Sequence, residues 1–131
     1  MITFVTTSGG GSSPAAINAF ISSTVNVTLA AGQRAHLVVD KALGSTAVGG
    51  ATGLNVYPCY QSTAVGGVLT TQGGGIFGLQ VAQNQRLTFG VNHVFSGLAA
   101  GTYSIGMCGA SAAGFANWNN NEWGYTTALV F

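Results

Sequence analysis

Few residues in this chain are equipped for chemistry. Its charged side chains are Arg34, Asp40, Lys41, Arg86 and Glu122, joined by His36, His93, Cys59 and Cys108. Glycoside hydrolysis needs two carboxyl groups flanking one bond, and Asp40 and Glu122 lie far apart in unlike contexts. His36 or His93 with Asp40 could supply part of a Ser/His/Asp triad. However, His36 and Asp40 are four residues apart on one strand, a span of about 13 Å, and no GxSxG elbow exposes a serine. Metal binding needs three or four converging ligands, and none of the candidates stands at ligand spacing. The glycines form neither GxGxxG between a strand and a helix nor a Walker lysine loop. The two cysteines are not in CxxC spacing. One disulfide linking two strands and two buried free thiols both remain open. The expectation is a protein that is not an enzyme, with no catalytic residue, no metal and no cofactor.

One segment differs from the rest. Phe115-Ala-Asn-Trp-Asn-Asn-Asn-Glu-Trp-Gly-Tyr125 holds both tryptophans, four asparagines and one of the two acids. Sugars present apolar C–H faces, on which an exposed aromatic stacks, and hydroxyls, which amide and carboxylate groups bind. In a ligand site, Trp118 or Trp123 would be the platform, and Asn119, Asn121 and Glu122 would supply hydrogen bonds. The competing reading is a loop whose tryptophans plug the end of the domain or an interface. Glu122 is costly to bury alone, so it is expected either exposed or paired with Arg34 or Arg86.

The elements that would position these residues are strands. Ile21, Ser23, Val25, Val27 and Leu29 alternate with Phe20, Ser22, Thr24, Asn26 and Thr28, a period of two with β-branched enrichment. Alternation resumes at Ala35, Leu37 and Val39, then at Leu54, Val56 and Tyr60, where Pro58 argues for an edge or a bulge. Further strands are predicted around Ile76–Val81, from Leu87 to Phe95, at Tyr103, Ile105 and Met107, and at Tyr125, Thr127, Leu129 and Phe131. Gly-rich loops cover 44–53 and 62–75. Residues 14–20 have room for one helical turn at most. Counting an arm at Ile2–Thr7, about eight strands result, which predicts an all-β, single antiparallel β-sandwich, a jelly roll rather than an immunoglobulin-like arrangement. The single domain spans 1–131, with 1–18 as an N-terminal arm and Gly/Ser-rich linker. Ser45-Thr46-Ala47-Val48-Gly49-Gly50 recurs as Ser62-Thr63-Ala64-Val65-Gly66-Gly67. The two copies fit loops at opposite ends of one strand, or simply a shared loop composition.

Bulk properties narrow the function. Charged residues make up 4% of the 131 residues, where a soluble domain carries about 25%. No basic cluster exists to release counterions from phosphates, so nucleic-acid binding is not expected. No apolar run approaches the roughly 20 residues of a membrane-spanning helix. The N-terminus shows no secretory signal. A surface of Ser, Thr, Asn, Gln and Gly repels its neighbours weakly, which favours assembly. A homotrimer is expected, its contacts drawn from Phe89, Phe95, Tyr103 and Phe131.

Three short pieces carry a resemblance. Val27-Thr-Leu-Ala-Ala-Gly-Gln-Arg34 resembles a jelly-roll strand and turn with an LxAGD element. Gly97-Leu-Ala-Ala-Gly-Thr-Tyr103 resembles the pGtY start of an inner strand in C1q/TNF-like domains, and Gly124-Tyr-Thr-Thr-Ala-Leu-Val-Phe131 resembles their closing strand. Their order departs from the C1q order, and they cover under a third of the chain. The resemblance implies a compact trimer with an aromatic core on the threefold axis, of the bacterial or phage type that tips fibres. It transfers no site residue. The expected function is a surface-displayed, self-assembling module on a virion or cell surface that binds a glycan or receptor. The alternative is a purely structural virion protein, such as a trimeric capsid decoration protein.

Overall fold

The computed structural model describes residues 2–131. It contains β1 (Thr3–Gly9), β2 (Ala19–Phe20), β3 (Val25–Leu29), β4 (Ala35–Ser45), β5 (Ala51–Ser62), β6 (Thr70–Thr71), β7 (Ile76–Val81), β8 (Gln85–Phe95), β9 (Gly101–Ala110) and β10 (Gly124–Val130). A single 3-10 turn covers Phe115–Asn117. One sheet has the order β1-β10-β4-β8. In the other, β9 lies beside β5, with β2 and β3 sharing one flank and β6 and β7 the other. Taking each shared flank as one strand leaves eight, close to the number read from the sequence. Their pairings run first with last, β1 with β10, then β3 with β9, β4 with β8 and β5 with β7, all antiparallel. The chain is therefore a long hairpin rolled into two facing sheets, the jelly-roll arrangement of an all-β sandwich.

Alternation sets which side faces inward. In β3, Val25, Val27 and Leu29 are buried while Asn26 and Thr28 are exposed. Leu37, Val39 and Leu43 of β4 meet Leu54 and Val56 of β5 and Ile105 and Met107 of β9 in one core. Tyr60 packs edge-on against Phe95 at 5.6 Å and Tyr103 at 5.8 Å. Phe95 and Tyr103 are buried and Phe89 packs against the core, so three of the four aromatics assigned to a trimer contact serve the sandwich itself.

Several local expectations change. Pro58 lies in an interior strand, β5, rather than at an edge. Its partner on one flank switches there, from β7, whose last match is Val56 with Ile76, to β6, whose first is Cys59 with Thr71. The Pro58 carbonyl accepts from the Gln72 N–H on that flank, and a strand residue's N–H points the same way as its C=O. The missing N–H thus falls in the gap between the two short partners. Residues 14–20 form no helix: Ala15 bridges to Ala110, and β2 follows. The segment read as an arm, β1, pairs along its full length with β10.

The repeated hexapeptides sit at opposite ends of β5 and build the same turn. Ser45 Oγ accepts from Ala47 N at 3.0 Å and Ser62 Oγ from Ala64 N at 3.2 Å. Gly50 N donates to Ala47 O and Gly67 N to Ala64 O. The third turn position has φ of 84° at Gly49 and 82° at Gly66, which glycine adopts without steric cost. Val48 and Val65 stand fully exposed at the two tips.

Lys41 is an inward-facing charge on β4, wholly buried, whose ammonium donates to the Gly10 carbonyl. Burial lowers its pKa below the ordinary lysine value, because desolvation disfavours the charged form. Between the lowered value and the ordinary one, the unfolded chain binds more protons than the folded one, so stability rises with pH across that window. Relative to Lys41→Met, the wild type is expected to gain stability as pH is raised through this alkaline window. Urea midpoints of both proteins at several alkaline pH values test this; a constant difference would contradict it.

Candidate functional site

The 115–125 segment closes one end of the sandwich, and most of its polar groups are engaged within the chain. Asn119 Oδ1 accepts from Thr46 N at 2.8 Å and Thr46 Oγ1 at 3.1 Å. Asn121 Oδ1 accepts from Gly44 N at 3.2 Å, and its Nδ2 donates to Trp118 O at 2.7 Å and Ser13 Oγ at 3.0 Å. Asn120 holds Arg86, its backbone carbonyl accepting from Nε at 3.0 Å and its Oδ1 from Nη2 at 2.5 Å. Glu122 pairs with Arg86 at 3.5 Å across an exposed surface, so of the two arginines considered it is Arg86 that takes the role. Such a pair is worth under about 1 kcal/mol.

The two tryptophans part company. Trp118 is 1% exposed, its indole donating to Thr52 O at 3.1 Å and its ring edge-on to Phe89. It has no open face for a ligand and is a core residue. Trp123 is 53% exposed and, of the two, is the one that could act as a platform. Its carbonyl accepts from Ala42 N, so it continues β10 and stands level with Ala42 on the outer side of the first sheet.

That outer side forms a broader surface than the loop. Successive cross-strand rows read Phe4, Leu129, His36, Val94; then Thr6, Thr127, Val38, Asn92; then Ser8, Tyr125, Asp40, Gly90. Phe4, Val38 and Tyr125 are 64%, 48% and 60% exposed, and Ile2 and Val94 are exposed as well. At one end Arg34 stacks on Phe131, 4.5 Å from the ring centre. The face thus joins six or more apolar side chains with one cation, one histidine and one acid. Contiguous apolar surface of this kind marks interaction sites.

The residues considered for catalysis are dispersed. His36 and Asp40 share this face with Val38 between them, while His93 packs against Phe95 at 5.1 Å and bonds Gln72 at 3.0 Å. Among the described residues no three His, Cys, Asp or Glu side chains converge on a metal-sized site, and no helix is long and apolar enough to cross a membrane. A cleft of about 370 Å³ beside Gly49, Thr52, Gln80, Val81, Ala82 and Gln85 has no titratable side chain in its lining. Cys59 and Cys108 are joined in a disulfide.

Sequence reasoning overlooked the apolar face. Its signal was present in β10, where Tyr125 and Leu129 carry one parity and Ala128 and Val130 the other, so both sides of that strand are apolar.

No protein-family model matches the chain, and no curated protein matches it. Among solved structures, a chain in the structure of infectious bursal disease virus Gx strain aligns with a TM-score of 0.48 and 9% identity, over 99% of this chain and 31% of that one.

Proposed function

We propose that this protein is a non-catalytic structural module that assembles with copies of itself into a larger shell or fibre, as a virion component. The observation that carries this reading is the apolar outer face of the β1-β10-β4-β8 sheet, with Phe4, Val38, Tyr125 and Trp123 exposed on a domain that has almost no charge to keep copies apart. The jelly-roll sandwich suits the role, since such domains tile capsids, although the fold by itself names no function. A three-subunit ring, the stoichiometry that C1q/TNF-like kinship would bring, is one way to cover the face. Display on a virion or cell surface agrees with the buried disulfide, a bond that persists in oxidising surroundings. Sedimentation at micromolar concentration is expected to give an oligomer, and a monomer there would end the proposal.

Glycan or receptor binding at the 115–125 loop is weakened by the self-engaged asparagines, and rests on Trp123. Trp123→Ala is expected to change stability by no more than about 0.5 kcal/mol, as for a surface substitution outside the core. A glycan array run with wild type and variant separates the roles. Sugar binding lost at unchanged stability would favour the ligand site, whereas a change confined to the sedimentation profile would favour assembly.

A further inference from the structure

We infer that the outer face of the β1-β10-β4-β8 sheet docks on the same face of a second copy, about a two-fold axis that lies in the interface and runs across the strands at the level of Leu37. The inference rests on the self-assembly reading and adds the surface, the partner and the symmetry.

The argument starts from where the charges lie. Lys41 is buried, and Arg86 is tied to Glu122. The remaining acid and the remaining arginine, Asp40 and Arg34, both stand on this face, on or just before β4, at positions of the same outward parity. Asp40 has no ion-pair partner among the described residues. Six residues separate the two, about 20 Å along a strand, too far for them to satisfy each other. A two-fold axis across the strands at residue 37 reverses strand direction and lays β4 on β4. Each Arg34 then meets the other copy's Asp40, twice per dimer, and each His36 meets Val38. An axis parallel to the strands, two-fold or three-fold, instead sets Arg34 level with Arg34 and Asp40 level with Asp40. A parallel axis therefore cannot bring Arg34 of one copy opposite Asp40 of the other, and only the antiparallel arrangement pairs the two charges.

Area sets the strength. About this axis the rows from level 34 to level 40 of β4 overlap, so four strands about 4.8 Å apart over about seven levels at about 3.3 Å each give a footprint of about 450 Å² per copy, hence about 900 Å² in all. That is the size of a weak, reversible interface. Leu129, Val38 and Tyr125 supply apolar contacts on the two inner strands, with Phe4 and Val94 on the edge strands beside Thr6 and Asn92 of the other copy and Trp123 at the rim. An isologous contact closes this face within each pair, so the dimer is the unit from which a shell or fibre would grow through its other surfaces.

Charge reversal with reciprocal rescue tests the proposal on the full chain. Wild type is expected to sediment as a dimer at micromolar concentration. Asp40→Arg should raise the dimer Kd at least about tenfold, with the far-UV spectrum unchanged because the site is on the surface, and with the Tm of the dilute, monomeric protein unchanged as well. The double variant Arg34→Asp/Asp40→Arg should recover most of the affinity. Recovery can only be intermolecular, since about 20 Å within one copy exceeds the screening length of about 10 Å at 0.1 M salt. A wild-type monomer up to about 100 µM would overturn both this inference and the self-assembly reading, and would leave the face to a different protein. A trimer, or a dimer indifferent to both variants, would overturn the inference while leaving self-assembly standing. If Asp40→Arg lowers the Tm of the dilute monomer, Val38→Arg, which sets two cations beside the axis, replaces it and must likewise dissociate the dimer.

Discussion

Trp118→Ala is expected to destabilise the protein by about 3–5 kcal/mol, the range for removing a large buried aromatic side chain. The indole lies just beyond the Phe115–Asn117 turn and fills the end of the sandwich, with its ring 6.1 Å from that of Phe89 at 74°. Three polar contacts hold it. Its Nε1 donates to Thr52 O, its own N–H donates to Phe115 O, and its carbonyl accepts from Asn121 Nδ2. Truncation keeps the two backbone contacts and loses the ring, so the cost is that of a cavity together with one hydrogen bond. Thr52 O retains Ser111 Oγ as a donor at 3.1 Å, which limits the polar share. Trp118→Phe, which keeps much of the volume and removes the donor, should therefore cost only about 1–2 kcal/mol. For a domain of this size the alanine variant should lose about 10–20 °C in Tm. Thermal unfolding of the Trp118 and Trp123 variants side by side checks the assignment, and equal losses from the two would refute it.

That contrast shows where sequence reading stops. Trp118 and Trp123 are five residues apart in an irregular segment, and without a period nothing marks one as inward and the other as outward. The same holds for the asparagines, whose partners Thr46, Gly44 and Arg86 arrive from the distant end of β4, the turn after it and the start of β8. Where the period of two is clean the core was legible. Val25, Val27 and Leu29, then Leu37 and Val39, then Tyr103, Ile105 and Met107 are all inward as their alternation requires. In β10 the period of two could not choose a side, because both are apolar: Tyr125 and Leu129 lie on the outward side, while Thr126, Ala128 and Val130 are buried. Phe89 and Phe95 were legible in principle, since they share the parity of Val91, which is core. Lys41 had the same clue, lying in phase with Leu37, Val39 and Leu43. Pro58 could not be placed from its own strand, because what accommodates it is a change of neighbour supplied by β6 and β7.

Loss of the Cys59–Cys108 bond is expected to cost about 2–4 kcal/mol. The sequence left bonded and free cysteines equally open, since pairing depends on register. In the structure β5 and β9 align Tyr57 with Cys108 and Cys59 with Gly106, which makes the cysteines diagonal neighbours with a Cα–Cα distance of 5.8 Å. The bond spans 49 residues of chain. A loop of that length corresponds to about 4 kcal/mol of lost unfolded-state freedom in the chain-entropy account, a ceiling that the measured cost usually undershoots. The loop contains β6, β7 and β8, so the bond ties together two stretches of the second sheet that are joined in sequence only by way of the first. Both sulfurs are fully buried, and Asn18 Nδ2 donates to Cys108 Sγ at 3.1 Å. A reductant therefore reaches them only when the fold opens. Two results are expected. Cys59→Ala/Cys108→Ala should lower the stability read from urea unfolding by the stated amount, with a steeper dependence of stability on urea because the unfolded chain without the bond is more expanded. The intact protein should resist dithiothreitol in buffer yet be reduced quickly in denaturing urea. A double variant as stable as the wild type would show that the sandwich holds its register without the bond. Rapid reduction in buffer would show instead that this part of the second sheet opens locally, well short of global unfolding.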